Sequence, residues 1–367
     1  MAYKYTHFIP QNIAPKGANK IVVYNSKGEK ITDIPLGGLT PPNKDKLYSF
    51  GLVSDVHIAV NADSADNWRP RTKFDNALTY FENSGCALCC VCGDLTQTGF
   101  YIRTAEKDDN TSSFDTRQLK AYKDICDAHP NLPVYEIAGN HESYYNSTSG
   151  NNIISRPLFE HLTEWETYTG KNVLHYMVEY QNDIFIFCGH PRGGTPMTDE
   201  TYEEYGIESA FKFLSDILSA NSNKRCFVFV HPLWNDDSGD VHVNGKGLYA
   251  TSGSGGAVLS SWSKGTDLKN LLKQYPKAVL FHGHTHIKFE EQEKDKSLNY
   301  TKKNGFHSVH VPSLGRPRDI IDNKLVYAPS ESQGYIVDVY DDCIVLNGMD
   351  FINNRPVPLG TFKIDTY

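Results

Sequence analysis

Gly93-Asp94 ends the apolar run Cys86-Ala-Leu-Cys-Cys-Val-Cys92 and opens the polar stretch Leu95-Thr-Gln-Thr-Gly99. A carboxylate set down where a buried strand runs out is well placed to bridge two metal ions. Four other stretches also run apolar and then deliver metal-ligand types: Phe50-Gly-Leu-Val-Ser-Asp55-Val-His57, Val134-Tyr-Glu-Ile-Ala-Gly-Asn140-His141-Glu142, Cys226-Phe-Val-Phe-Val-His231 and Ala278-Val-Leu-Phe-His-Gly-His284-Thr-His286. Five strand ends converging on one edge of a sheet would gather Asp, Asn and His side chains into one pocket.

Asp55 and His57 stand two apart, as do His284 and His286. In extended backbone, residues i and i+2 point the same way, so each pair is expected to reach a single pocket. Imidazole with carboxylate suits Mn, Fe or Zn, whereas an all-oxygen set favours Mg or Ca. Asn140 adds a neutral oxygen. Two ions about 3.5–4 Å apart clamp the attacking and leaving oxygens of a displacement at phosphorus and bring the pKa of bound water toward about 7.

Fourteen histidines make some coincidence inevitable. His7, His129, His161, His175 and His242 read as ordinary surface or hydrogen-bonded residues, and His282 as facing the core or a neighbouring strand. Cys86, Cys89, Cys90 and Cys92 lie within one buried strand, where free Cys behaves as a small hydrophobe and side chains alternate between faces.

The elements that must position these residues have an α/β rhythm from Leu47 onward. Phe74, Ala77, Leu78 and Phe81 share one helical face, as do Leu119, Tyr122 and Cys126 behind a cap at Asp115. Val173–Tyr180 and Asp183–Gly189 pair around Gln181-Asn182. Ile207, Phe211, Leu214 and Leu218 form a second apolar stripe, and Thr266 opens a short helix. Phe306–Val311, Tyr335–Tyr340 and Cys343–Leu346 are strands, the last two a hairpin around Asp341-Asp342. Residues 1–46 read as a β-rich accessory segment and linker with a hairpin at Asn25-Ser-Lys-Gly28, 47–334 as the catalytic domain, and 335–367 as a C-terminal hairpin and tail packing on it. The loops after Thr98 and Pro232 follow directly on candidate ligands and are expected to contact substrate.

The chain has 367 residues, 39% hydrophobic and 22% charged, with a net charge of −8. No Lys/Arg block appears, which argues against a protein that holds nucleic acid by phosphate neutralisation. The N-terminus carries no apolar signal-peptide core, and no apolar run reaches about eighteen residues, so a cytoplasmic protein without a membrane anchor is expected.

Asp-x-His, Gly-Asp, Gly-Asn-His-Glu, His and Gly-His-x-His occur in that order from Asp55 to His286, and in this the chain resembles the calcineurin-like metallophosphoesterases. The resemblance implies a mixed α/β fold, a four-layer αββα sandwich of two mixed sheets flanked by helices. It implies two divalent or trivalent transition-metal ions, one held by Asp55, His57, Asp94 and His286, the other by Asp94, Asn140, His231 and His284. His141 would contact the scissile phosphate and protonate the leaving alkoxide, while a hydroxide bridging the metals attacks phosphorus.

Departures from relatives narrow the substrate. Protein phosphatases of the superfamily carry Gly-Asp-x-x-Asp-Arg-Gly, where this chain has Gln97 and Thr98. Purple acid phosphatases place a Tyr where Gln97 stands. By elimination the pattern resembles the cyclic-nucleotide and general phosphodiesterase branch, acting on a small phosphorylated substrate. The alternatives are a small-molecule phosphomonoesterase, or a non-catalytic assembly module that docks a protein partner through its terminal β segments. Tyr144, His190 and Arg192 are candidate substrate contacts: the tyrosine to stack on a base or aryl group, His190 and Arg192 to hold a phosphate oxygen.

Overall fold

The computed structural model describes residues 20–24, 30–35, 45–59, 68–97, 117–146, 153–155, 162–171, 173–190, 207–234, 237–240, 242–243, 246–247, 264–291 and 298–366. Strands β1 (Lys20–Tyr24) and β2 (Lys30–Pro35) pair antiparallel, with a register shift between Val23 and Tyr24. Strand and helix then alternate through β3 (Tyr48–Val53), α1 (Pro70–Asn83), β4 (Cys89–Val91), α2 (Arg117–Asp127) and β5 (Val134–Glu136). A short pair, β6 (Tyr144–Asn146) and β7 (Ile153–Ser155), precedes α3 (Leu162–Thr169). The hairpin of β8 (His175–Tyr180) and β9 (Asp183–Cys188) turns at Gln181, and α4 (Ile207–Ala220) leads into β10 (Cys226–Phe229). After the small pair β11 (His242–Val243) and β12 (Lys246–Gly247) come α5 (Gly265–Leu272) and β13 (Ala278–His282).

Strands complete the chain: β14 (Tyr300–Thr301), β15 (His307–His310), the hairpin β16 (Arg318–Ile321) and β17 (Lys324–Tyr327), then β18 (Gln333–Val339) and β19 (Cys343–Asp350). The two short strands β20 (Arg355–Pro356) and β21 (Phe362–Asp365) both pair with β19.

Two mixed sheets result. One runs β20-β19-β18-β3-β4-β5, with β3, β4 and β5 parallel; the other runs β14-β15-β13-β10-β9-β8, with β9, β10, β13 and β15 parallel. Strand alternation divides the side chains into layers. Phe50, Leu52, Cys90 and Cys92 of the first sheet meet Phe185, Phe187, Phe227, Phe229, Val279 and Phe281 of the second, where Phe187 and Phe229 stack at 4.7 Å. The intervening residues face outward onto helices: Val53, Cys89 and Val91 onto α1, α2 and α3, and Ile184, Val228 and Leu280 onto α4 and α5. The order helix, sheet, sheet, helix is the expected four-layer sandwich. Each fully buried Phe contributes about 1.5–3 kcal/mol of apolar transfer, so this inter-sheet aromatic layer is the main adhesive between the sheets.

Helix α1 begins at a Pro on its first position and buries Phe74, Ala77, Leu78 and Phe81, the face read from the sequence. Asp115 lies outside the described residues. All eight cysteines are free thiols; Cys89 and Cys90 alternate within β4, one facing the helices and the other the second sheet, and Cys126 lies on α2. Among residues 335–367, β18 is hydrogen-bonded to β3 from Tyr335 opposite Leu52 to Val339 opposite Tyr48, inside the first sheet. No helix of the described residues is long and apolar enough to cross a membrane.

Candidate metal centre

The candidate ligands stand where parallel strands end, but on two sheets rather than one edge. β3, β4 and β5 lead to Asp55 and His57, Asp94, and Asn140; β10 and β13 of the facing sheet lead to His231, and to His284 and His286. The pocket therefore sits across the carboxyl ends of both sheets.

The backbone also differs from the extended geometry expected of the paired ligands. Asp55, His57, Asp94, His284 and His286 all have positive φ, between 52° and 76°. Each such non-glycine residue costs of order 1–3 kcal/mol and persists only where its surroundings over-determine it. Here the loops are laced together: Asp55 N donates to Gly93 O and His57 N to Asp94 O, both at 3.0 Å, while His284 N donates to Asp55 Oδ2 at 3.0 Å. The residues between the paired ligands point elsewhere, Val56 into the helix-side core and Thr285 to His310.

Two nitrogen pairs converge. His57 Nε2 lies 3.0 Å from His286 Nε2, and His231 Nε2 lies 3.2 Å from His284 Nδ1. The carboxylates stand among them: Asp55 Oδ1 is 3.0 Å from His286 Nε2, Asp94 Oδ2 is 3.1 Å from His231 Nε2, and both are 3.8 Å from His57 Nε2. Asp55, His57, Asp94 and His286 each offer a ligand atom within 4.8 Å of the others, and so do Asp94, His231 and His284, with Asp94 common to both groups.

Second contacts fix which atoms face inward. Nδ1–H of His231 donates to Cys92 O at 2.7 Å and Nδ1–H of His286 to Arg316 O at 3.1 Å, so each turns an Nε2 lone pair into the pocket. Asp55 Oδ2 accepts from Ser54 Oγ at 2.6 Å, and Asp94 Oδ1 accepts from His141 N at 2.8 Å. The remaining oxygens, Asp55 Oδ1 and Asp94 Oδ2, are buried without a hydrogen bond, as is Asn140 Oδ1. Three buried oxygens without a hydrogen bond, two of them beside inward-facing ring nitrogens, suit cations, since such oxygens are costly unless something positive meets them.

The electrostatics agree. Burial alone would raise the Asp55 carboxyl, but His286, His57 and His231 hold it well below the usual carboxylate range; His231, His141 and His57 do the same for Asp94. Burial pushes His57, His141 and His286 down to about 4. Against burial, the charge of Asp94 pushes His231 up to about 9. The paired carboxylates thus favour positive charge in this pocket, as a proton or as a metal ion.

His141 differs from its neighbours. Its side chain is 21% exposed where those of His57, His231 and His286 are 5% or less, and Nε2 lies 3.9 Å from Asp94 Oδ2. Nδ1–H donates to Gln97 O at 2.5 Å. His190 is buried on the turn after β9, its N–H donating to Ala138 O at 2.8 Å beside the segment that carries Asn140. The backbone of Tyr144 opens β6, its side chain lies outside the described residues, and so does Arg192. His282 is fully buried and meets Ser238 Oγ at 2.8 Å.

Reading the sequence missed the residues that brace the ligands. Glu142 is buried and accepts from Thr96 N, Thr96 Oγ1 and Gly139 N; burial and the Asp94 charge push its carboxyl up to about 7. Ser313 Oγ donates to Asp55 O and accepts from Arg316 N, both at 2.8 Å. Glu142 adjoins His141, a signal that was available; Ser313 and Arg316 lie beyond the last ligand block, with none.

Residues 48–288 match the family model of the calcineurin-like phosphoesterases, and the chain belongs to that family. A dimetal phosphatase from Danio rerio is similar in structure, with a TM-score of 0.54 at 13% identity over 88% of this chain and 100% of that one. The purple acid phosphatase PPD1 from yellow lupin seeds aligns at 14% identity and a TM-score of 0.48, over 91% of this chain and 57% of that one. No curated protein matches the chain.

Proposed function

We propose that this protein is a metal-dependent phosphodiesterase acting on a small phosphodiester, a cyclic nucleotide among the candidates. The observation that carries the reading is the sharing of Asp94 between two ligand groups, with His141 presented on the open side of the same carboxylate.

Asp55, His57, Asp94 and His286 would hold one cation and Asp94, Asn140, His231 and His284 the other, a nitrogen and oxygen set that suits Mn, Fe or Zn. Such a pair supplies charge neutralisation at phosphorus and lowers the pKa of water. The chain itself contributes orientation and a proton. Gln97 O keeps Nδ1–H of His141 fixed and turns Nε2 toward the pocket; an anionic phosphate bound beside it would raise the imidazole from its low value in the empty pocket, so that Nε2 gains a proton and passes it to the departing ester oxygen. No side chain is phosphorylated in this scheme.

Diester preference is supported by what stands near Asp94. Gln97 occupies the place of the protein phosphatases' second Asp, and its Oε1 accepts from Arg316 Nη1 rather than lying among the ligand atoms. Free thiols at all eight cysteines, seven of them buried, support a reducing, cytoplasmic setting.

The test is hydrolysis of bis(p-nitrophenyl) phosphate against p-nitrophenyl phosphate by Mn-reloaded protein, with Asp94→Ala as the blank. Faster diester turnover supports the reading; monoester preference replaces it with a small-molecule phosphatase. A phosphorylated protein trapped in a single turnover in oxygen-18 water would sink direct attack.

A further inference from the structure

Two carbonyls on chain segments far apart in sequence each hold one histidine of the pocket. Gln97 O accepts from His141 Nδ1 at 2.5 Å and Arg316 O accepts from His286 Nδ1 at 3.1 Å. The side chains of the same two residues are joined to each other, Arg316 Nη1 donating to Gln97 Oε1 at 2.6 Å across 219 positions of sequence.

Both partners are anchored independently of that bond. Gln97 N donates to Ile58 O and to the buried Gln118 Oε1, each at 2.9 Å. Arg316 N donates to Ser313 Oγ, which itself donates to Asp55 O. The Arg316 guanidinium packs on Trp68, 3.6 Å from its ring centroid, and on Tyr327 at 4.6 Å, and Tyr327 OH accepts from Arg318 Nη2 at 2.7 Å. A planar cation held against two rings and directed at one amide oxygen has little freedom to turn.

We propose that Gln97 and Arg316 form a positioning clasp that sets the ring orientation of His141 and of His286 together, so that the proton donor and one metal ligand keep a fixed relation. The proposal rests on the roles given to those two histidines under the proposed function. Neither clasp residue touches the reacting atoms. Each acts through its carbonyl, and their side-chain bond makes the two carbonyls one unit.

The test uses Arg316→Met, which keeps the packing on Trp68 and Tyr327 but not the hydrogen bond, Gln97→Ala, and Gln97→Glu, which restores an acceptor for Arg316. In metal-free protein, imidazole N–H resonances are recorded for His141, His286 and, as internal control, His231, whose Nδ1–H is held by Cys92 O. Arg316→Met and Gln97→Ala are expected to shift or broaden the first two and leave the third, with Gln97→Glu close to wild type.

In Mn-loaded protein, kcat is compared on an alkyl diester and a p-nitrophenyl diester. Loss of the clasp is expected to cost about 10- to 100-fold on the alkyl ester, the range seen for residues that orient ligands, and less on the nitrophenyl ester, whose leaving group needs no proton. Unchanged His141 and His286 resonances in both clasp variants would overturn the proposal. His141→Ala separates the two readings. If it shows no leaving-group dependence, His141 is not the acid and the resonances alone decide the clasp; if it does and the clasp variants do not, the clasp is wrong and the acid stands. A variant that melts below the assay temperature is read through the other two.

Discussion

The backbone N–H of His141 donates to Asp94 Oδ1 at 2.8 Å, so the candidate proton donor is tied to the one carboxylate common to both ligand groups. One residue thereby fixes the candidate acid against the candidate ligand groups. Asp94→Asn keeps an oxygen for the His141 N–H and removes the charge; Asp94→Ala removes both. Asn is expected to weaken Mn binding by at least about 10- to 100-fold and keep the melting temperature of the metal-free protein within a few degrees. Ala is expected to lose both metal and activity. Metal content after dialysis, read with activity and a thermal melt, checks this; full metal occupancy in Asp94→Ala would remove Asp94 from the centre.

Close backbone approach makes the second prediction. A Cβ at Gly139 would overlap the Asp94 carboxylate and its backbone N, and one at Gly283 would overlap Ser54 Oγ and the Asp55 carboxylate. Gly139→Ala and Gly283→Ala must push a ligand aside, at about 1–3 kcal/mol of stability and with loss of metal-dependent activity. Gly85 at φ 71° has open space around it, at the far end of β4 from the pocket. Gly85→Ala is expected to cost about 1–2 kcal/mol through backbone strain and leave turnover unchanged. Comparable activity loss in all three would show that stability, not ligand placement, is being measured.

The contrast between these glycines shows what could be read in advance. Each ligand block follows an apolar run, so Asp55, Asp94, Asn140, His231 and His284 could be placed at strand ends from local pattern alone. Alternation in Cys89–Val91 or Cys226–Phe229 says which residues share a face, yet not which sheet a strand joins; the division of ligands between two sheets was therefore invisible. Left-handed backbone at Asp55 and His286 leaves no mark either, because neither residue is a glycine. Likewise nothing local in Tyr335–Val339 tells that it lies beside β3, since Tyr335 pairs with Leu52 and Val339 with Tyr48, far away in sequence. Arg316 was silent for the same reason: its partners Gln97, Trp68 and Tyr327 come together only in three dimensions.

A buried ion pair at the other end of the sandwich tests how the sheets are held. Arg225 Nε and Nη2 donate to Asp183 Oδ1 and Oδ2 at 3.0 and 2.7 Å, Nη1 donates to Tyr340 O, and Tyr48 OH donates to Asp183 Oδ2 at 2.5 Å. Tyr48 and Tyr340 belong to the first sheet and its hairpin, Asp183 and Arg225 to the second. Burial and the Asp183 charge raise the Tyr48 phenol, keeping it a donor. Asp183→Ala leaves the guanidinium buried without its carboxylate and is expected to cost about 3–5 kcal/mol. Replacing both by apolar residues, Asp183→Leu with Arg225→Met, is expected to cost less than that single change. Urea unfolding of the three proteins decides it; a double variant no better than Asp183→Ala would mean that the hydrogen bonds to Tyr48 and Tyr340, not the uncompensated charge, set the cost.

His129 gives the stability a pH dependence with a defined sign. Its buried ring reaches Glu82 Oε2 through Nδ1 at 2.8 Å and Asp75 Oδ1 through Nε2 at 3.0 Å, both carboxylates on α1, from just beyond the end of α2. Burial would lower the imidazole pKa, but the two carboxylates outweigh it and raise the value above the ordinary 6.5. A raised folded-state pKa means that the imidazolium stabilises the fold fully below the unfolded value of about 6.5 and ceases to as pH climbs through the folded value. Asp75 is half exposed, which keeps the pair in the range of about 0.2–1 kcal/mol. His129→Gln retains hydrogen bonding without charge, so its deficit against wild type is expected to be larger at pH 6 than at pH 9. Urea midpoints at the two pH values check this, and a deficit that grows with pH would assign the raised pKa to some other group.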